Sequence, residues 1–345
     1  MKKKLFVLIS VILVLSLFEI FSFSVLKLYS FQNKKETKVG KVNEYIYAED
    51  LSQIKNYSAF YGWRGFYSDQ TKFKVRKNIL NKNWNQKNYI YFFGGSTVIG
   101  EGANFDGTIP SHFATLEHTL QPMNMGDMGY VSGQSLNRLI EIIDKINKND
   151  IIVFYEGVND VITNCQEDLG PNGHSRVKLI NDLIKNDGKI FINLYIKVLE
   201  LFQKTNSFNF INGLSKKLFS YDLLYQQASE NYSCTDKKIA NQVANNLIRH
   251  WSIANYLADM KGAKFFAFLQ PSPYTADFEV NVPSREIWKK SYEDVYPKIR
   301  NLMSEKNNFY DLSKILKKDF YIDWCCHLNS DGNRIIAKKI FNIIF

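Results

Sequence analysis

Tyr89-Ile90-Tyr91-Phe92-Phe93-Gly94-Gly95-Ser96-Thr97 is the stretch on which the fold turns. Five β-prone, largely apolar residues stop abruptly at two glycines and a hydroxyl, the pattern of a short buried strand entering a loop. Three more runs share this character. Asp150-Ile151-Ile152-Val153-Phe154-Tyr155 ends at Gly157, Ala263 to Leu269 ends at Pro271, and a shorter run begins with Asn308-Phe309-Tyr310. Between and after them, apolar residues take up helical spacing over residues 135–146, 177–184, 190–203, 236–260, 284–306 and 332–345. Buried strands alternating with amphipathic helices predict an α/β fold, a three-layer α/β/α sandwich around a central, mostly parallel sheet. In such sheets chemistry gathers beyond the carboxyl ends of the strands.

Four candidate groups fall at those ends. Ser96 follows the first strand, where Gly94 and Gly95 let a substrate approach the backbone closely. Asn124-Met125-Gly126-Asp127-Met128-Gly129-Tyr130 places Gly129 where its unhindered N–H can face the same space. Gly157-Val158-Asn159-Asp160 follows the second run, and the Asn159 amide can donate to a developing oxyanion. Asp323-Trp324-Cys325-Cys326-His327 precedes the last helix, pairing an imidazole with a nearby carboxylate. Taken singly, each is a common turn or helix cap.

Their order is what carries information. Ser, Gly, Asn and His in this succession resemble the four blocks of the SGNH (GDSL-like) hydrolases, over about residues 88–345. The resemblance implies Ser96 as nucleophile, His327 as general base and Asp323 as its orienting carboxylate. It further implies an oxyanion hole of the Ser96 and Gly129 backbone N–H groups and the Asn159 side chain, with no metal and no cofactor. The Gly-x-Ser-x-Gly elbow of α/β-hydrolases is absent, consistent with this. Two departures stand out. Gly95 replaces the usual acidic residue of Gly-Asp-Ser, a Gly-Gly-Ser-Thr version similar to that of membrane-anchored members. Asp323 and His327 lie four apart, not three, so either a bulge absorbs the extra residue or a backbone carbonyl holds His327 and the site is a dyad. Zinc on Asp323, Cys325, Cys326 and His327 is not expected, because consecutive side chains should diverge and match no usual ligand spacing.

The remaining features concern compartment and organisation. Met1-Lys2-Lys3-Lys4 precedes Leu5 to Leu26, interrupted only by Glu19. At about 1.5 Å per residue such a helix crosses a bilayer core, with the lysines on the cytoplasmic side and Glu19 reaching toward the far interface. Residues 1–31 are therefore expected to be a membrane anchor, with a cleaved signal peptide as the alternative. Residues 32–86 are expected to form a stalk and packing segment with an aromatic knot at Tyr57–Tyr67. Residues 87–345 are expected to form the hydrolase domain with a helical insertion at about 161–262, whose aromatics include Phe191, Tyr195, Phe202, Phe208, Tyr221 and Tyr225. The chain has 345 residues and carries +10 net charge from 44 basic and 34 acidic residues. The lysines are spread without a stripe of stacking aromatics, which argues against nucleic-acid binding. Four cysteines are too few for a disulfide scaffold. Export allows one bridge, Cys165–Cys234, whereas Cys325 and Cys326 would need a strained ring to pair.

An anchored, extracytoplasmic member implies a serine esterase removing short-chain, above all acetyl, esters from cell-envelope or extracellular glycans. Alternatives are a glycan O-acyltransferase, a membrane-proximal lipase or lysophospholipase, and a non-catalytic glycan-binding or assembly protein. Gln270-Pro271-Ser272-Pro273 borders the expected site as a candidate substrate contact.

Overall fold

Strands covered on both faces must be apolar on both sides of the pleat, and the apolar runs form such a sheet in a computed structural model of the protein. The structure describes residues 2–33, 54–58, 62–65, 79, 88–117, 119–166, 169–174, 177, 181, 205–219, 233–278 and 286–345. The central strands are β3 (Tyr89–Gly94), β4 (Gln121–Asn124), β5 (Ile151–Glu156), β6 (Lys264–Leu269) and β7 (Phe309–Asp311). They run parallel in the order β4-β3-β5-β6-β7, with Phe92 opposite Val153 and Val153 opposite Phe266. Strand β4 escapes the sequence pattern because it is four residues long and contains Pro122, tolerated at a sheet edge where one side needs no N–H donor.

Alternate residues feed two cores. Tyr91, Phe93, Ile152, Phe154 and Phe265 pack against α4 (Ser132–Ile142), α7 (Lys237–Met260) and α8 (Glu286–Met303). Ile90, Phe92, Ile151, Val153 and Phe268 pack against α3 (Ile109–Leu116) and α9 (Ser330–Ile344). The three expected layers are present. Helix α4 starts three residues earlier than its apolar spacing suggests, because the Gln134 side chain accepts from Val131 N (3.2 Å). Two short helices, α2 (Ser96–Ile99) and α5 (Val158–Asn164), open directly from the ends of β3 and β5.

Two compact units are formed, one from Met1–Val39 with Asn181–Ala228, the other from Gly40–Ile180 with Ser229–Phe345. In the first unit α1 (Lys2–Asn33) packs on α6 (Asn206–Phe219), with the Phe210 ring edge-on to Phe18 and Phe21. Glu19 does not reach for an interface, as its sequence position suggested. It caps α6, accepting from Asn206 N (2.6 Å) and Nδ2 (2.8 Å) and from Ser207 N (2.8 Å) and Oγ (2.6 Å). Four donors at a helix N-terminus satisfy a carboxylate well. Among the described residues no helix is long and apolar enough to cross a membrane; within the expected span, the side chains of residues 5–9 and 11–12 lie outside those described.

In the second unit, β1 (Ile54–Ser58) and β2 (Gly62–Gly65) form an antiparallel hairpin that pairs Tyr57 with Trp63. Most of the expected stalk, the side chains of the Tyr57–Tyr67 knot, and the helical stretches at 177–184 and 190–203 lie outside the described residues, apart from isolated positions. So do Phe191, Tyr195, Phe202, Tyr221 and Tyr225. The expected bridge is present: Cys165, at the end of α5, is bonded to Cys234, and Ser233 N donates to Cys165 O (2.7 Å).

Phe154 is fully buried between Phe93 and Phe265, with ring centroids 5.2 Å away on each side. Phe154→Ala should lower unfolding free energy by about 3–5 kcal/mol, read from urea denaturation as an earlier midpoint at unchanged slope.

Candidate active site

All five parallel strands end on the same edge, and the loops there bring the sequence candidates together. At the end of β3, Gly95 caps the single turn α2, and Ser96 is its first residue, largely buried at 6% exposure. Gly100 closes that turn at φ 87, a left-handed conformation that glycine adopts freely. Its N–H and that of Glu101 both donate to Ser96 O (2.9 Å each).

His327 reaches Ser96 from the other side of the edge: His327 Nε2 lies 2.7 Å from Ser96 Oγ, and His327 Nδ1 lies 2.5 Å from Asp323 Oδ2. The loop explains how four-residue spacing works. Tyr321 and Leu328 form an antiparallel bridge, and Ile322 N donates to His327 O (3.0 Å), closing the loop at its neck. Inside it, Asp323 Oδ1 accepts from the N–H groups of Cys325 (2.9 Å), Cys326 (3.1 Å) and His327 (3.2 Å). One carboxylate oxygen thus folds the extra residue inward while the other holds the imidazole. Burial works against the charged form of Asp323, but the His327 hydrogen bond and charge and the Cys326 and Cys325 amides outweigh it, so its pKa lies below the usual carboxylate value. Burial likewise disfavours a charged His327, yet hydrogen bonds to Asp323 and Glu101 raise its pKa well above that of free histidine.

Asn159 is the second residue of α5, and its Nδ2 donates to Tyr130 O (2.9 Å). An amide nitrogen carries two hydrogens, so one remains for a ligand. The same Nδ2 lies against Gly95: a Cβ there would come within 2.2 Å of it. This close approach is the local reason for glycine at position 95. Gly129 (φ 68) sits in the turn between Asp127, whose N donates to Gly94 O (3.1 Å), and Tyr130, whose carbonyl binds Asn159. That turn is therefore tied to both neighbouring strand ends.

A buried polar layer supports this edge. Asp160 accepts from Ser132 N (3.0 Å) and Oγ (2.5 Å), locking the start of α4 to α5, and Ser132 Oγ also meets His250 Nδ1 (2.8 Å). Glu156 accepts from Trp251 Nε1 (2.8 Å). Burial, reinforced by the Asp160 charge, raises Glu156 well above the usual carboxylate range. Burial pushes Asp160 up to about 6 against the Ser132 hydrogen bonds. Gln270 is not a free substrate contact as its position suggested. It is buried, with Nε2 donating to Thr97 Oγ1 (2.7 Å), while Ser272 Oγ donates to Cys325 O (3.0 Å). Both brace the loops that carry Ser96 and His327.

Consecutive side chains in the His327 loop do not diverge as expected. The turn gathers ligand atoms of Cys325, Cys326 and His327 within 4.8 Å of one another, with the two free thiol sulfurs 2.8 Å apart. Burial pushes the Cys326 thiol well up, with the hydrogen bond and charge of Cys325 adding to it. Sequence reasoning missed Ser132, Glu156, His250 and above all Glu101, whose Oε2 lies 2.9 Å from His327 Nε2. Its only sequence signal is its place five residues after Ser96, just beyond the glycine that ends the turn.

No family model and no curated protein matches the sequence. Among solved structures, the chain is similar to a member of the lipolytic protein G-D-S-L family from Veillonella parvula, at 11% identity over 74% of this chain and 97% of that one, TM-score 0.40. It is also similar to an acetyl-xylooligosaccharide esterase from Geobacillus Stearmophilus (16%, 76% and 96%, TM-score 0.37), and to a carbohydrate acetylesterase from Sinorhizobium meliloti (11%, 75% and 100%, TM-score 0.37).

Gly95→Ala should push the Asn159 amide off the Tyr130 carbonyl, because the added methyl would meet Asn159 Nδ2 at 2.2 Å and Tyr130 O at 3.2 Å. Ester turnover should fall by about 10²–10³-fold, as for loss of one oxyanion donor, read from steady-state kinetics on protein whose folding is checked by its thermal midpoint.

Proposed function

We propose that the protein is a serine esterase that works through an acyl-enzyme on Ser96. The observation that carries this is the unbroken relay from Ser96 Oγ to His327 Nε2 (2.7 Å) and from His327 Nδ1 to Asp323 Oδ2 (2.5 Å). A serine hydroxyl is a weak nucleophile until an adjacent base takes its proton, and the base needs a partner to fix its tautomer. Ser96 Oγ attacks the ester carbonyl as His327 accepts the proton, and Asp323 stabilises the imidazolium. The carbonyl oxygen, now negative, is held by the Ser96 N–H, the Gly129 N–H and the second Asn159 amide hydrogen. As the first residue of α2, Ser96 has no helical acceptor for its N–H, which leaves that donor available. His327 then protonates the leaving alcohol, and water, activated by the same imidazole, releases the acid.

The proposed substrates are short acyl esters, acetyl above all, on cell-envelope or extracellular glycans. The proposed location is the outer side of a membrane, with α1 as a single-pass anchor. Supporting the anchor, described α1 side chains such as Leu13, Val14, Leu15, Leu17, Ile20, Phe21 and Phe23 stand more than half exposed. Apolar surface of this extent is covered by lipid or protein in a stable protein. The Cys165–Cys234 bridge accords with an oxidising compartment.

The test is turnover of an acetylated oligosaccharide and of an activated acetyl ester by the full-length protein. Wild type should release free acetate, and Ser96→Ala should release essentially none. Asn159→Ala should retain measurable turnover with a barrier raised by about 2.7–4 kcal/mol. Ser96→Ala at near-wild-type rates would refute the assignment. Acetyl groups appearing on an acceptor sugar, in place of acetate, would move the reading to acyl transfer.

A further inference from the structure

We propose that Glu101 is a fourth working member of the site, beside Ser96, His327 and Asp323: it binds the Nε2 proton of protonated His327 and so competes with Ser96 for that nitrogen. This rests on the serine-esterase reading for its catalytic consequence, though not for its physical basis.

Asp323 Oδ2 at 2.5 Å fixes a hydrogen on Nδ1. Nε2 then has one remaining valence, and two groups lie against it, Ser96 Oγ at 2.7 Å and Glu101 Oε2 at 2.9 Å. A neutral imidazole offers Nε2 a lone pair, which accepts from the Ser96 hydroxyl but repels a carboxylate. An imidazolium offers Nε2–H, which donates to Glu101 and cannot take the Ser96 proton. The Ser96 contact and the Glu101 contact therefore belong to different protonation states of one ring. A carboxylate on each nitrogen favours the charged ring.

Delivery of Glu101 is built into the nucleophile loop. The left-handed Gly100 turns the chain back so that Glu101 N donates to Ser96 O (2.9 Å), and the side chain remains about one-third exposed beside the imidazole. Gly102 (φ 79) follows, and a Cβ there would meet Ile322 Cδ1 at 1.9 Å, so this turn nests against the His327 loop itself. The other groups facing His327 are Asp323, Cys325 and Cys326 on its own loop and the neutral Ser96 hydroxyl; burial pushes the Cys326 thiol up and keeps it uncharged. Glu101 is thus the acidic group supplied from outside the His327 loop, at the one nitrogen through which protons must pass. The neutral ring is the working base, so turnover should rise with pH through an elevated His327 pKa. Removing the Glu101 charge should lower that pKa and raise activity on the acid side.

Two readouts on full-length wild type and Glu101→Gln test this. The first is NMR titration of the His327 ring, assigned by loss of its signals in His327→Asn, which requires no turnover. The second is the pH profile of kcat/KM for an activated acetyl ester. The His327 midpoint should fall by about one unit or more in Glu101→Gln, since an adjoining opposite charge typically moves a pKa by 1–3 units. The acid limb of the profile should move by the same amount, so that Glu101→Gln exceeds wild type at mildly acidic pH. An unmoved midpoint in a variant of wild-type thermal midpoint overturns the role of Glu101. A shifted midpoint with no esterase activity in either protein would uphold the Glu101 contact and refute the proposed function instead.

Discussion

Closure of the loop from Tyr321 to Leu328 is the constraint on which the site depends. Its neck is a two-residue bridge plus one backbone hydrogen bond, and its interior is organised by a single carboxylate, Asp323. That carboxylate does two jobs at once, drawing three amides inward and holding the imidazole. An aspartate with fewer partners would be free to rotate; here orientation of His327 follows from backbone geometry. External braces complete the arrangement, with Ser272 on the Cys325 carbonyl and Gly102 against Ile322.

The opposite half of the site is built on the same logic of buried polar groups satisfying backbone. Asn159 is fixed by the Tyr130 carbonyl, Asp160 by Ser132, and Gln270 by Thr97. Each bond joins the ends of different strands, so the loops that carry reactive groups are held to one another as well as to the sheet. Preorganised donors of this kind stabilise charge without reorganising during reaction.

Much of this was legible in the sequence because periodicity is a strong signal. Apolar runs of five to seven residues identified β3, β5 and β6, and their abrupt ends located Ser96 and Asn159. Strand β4 was not legible, being four residues with an edge proline, and α3 went unread beside it. Spacing alone left the relation of Asp323 to His327 open between a bulge and a dyad, since a loop's hydrogen bonding is not written in residue intervals. Glu101 was hidden for a related reason: only the turn at Gly100 brings it back to the imidazole. Glu19 read as a charge stranded in an apolar helix, because its partners Asn206 and Ser207 are nearly two hundred residues away.

The central claim is that Ser96 is singled out among the chain's serines by His327. Intact-mass and peptide mapping after exposure to an activated phosphonate ester tests it most directly. One adduct per chain is expected, located on Ser96 and lost in both Ser96→Ala and His327→Asn. Absence of an adduct, or an adduct on another residue that persists in Ser96→Ala, would contradict it.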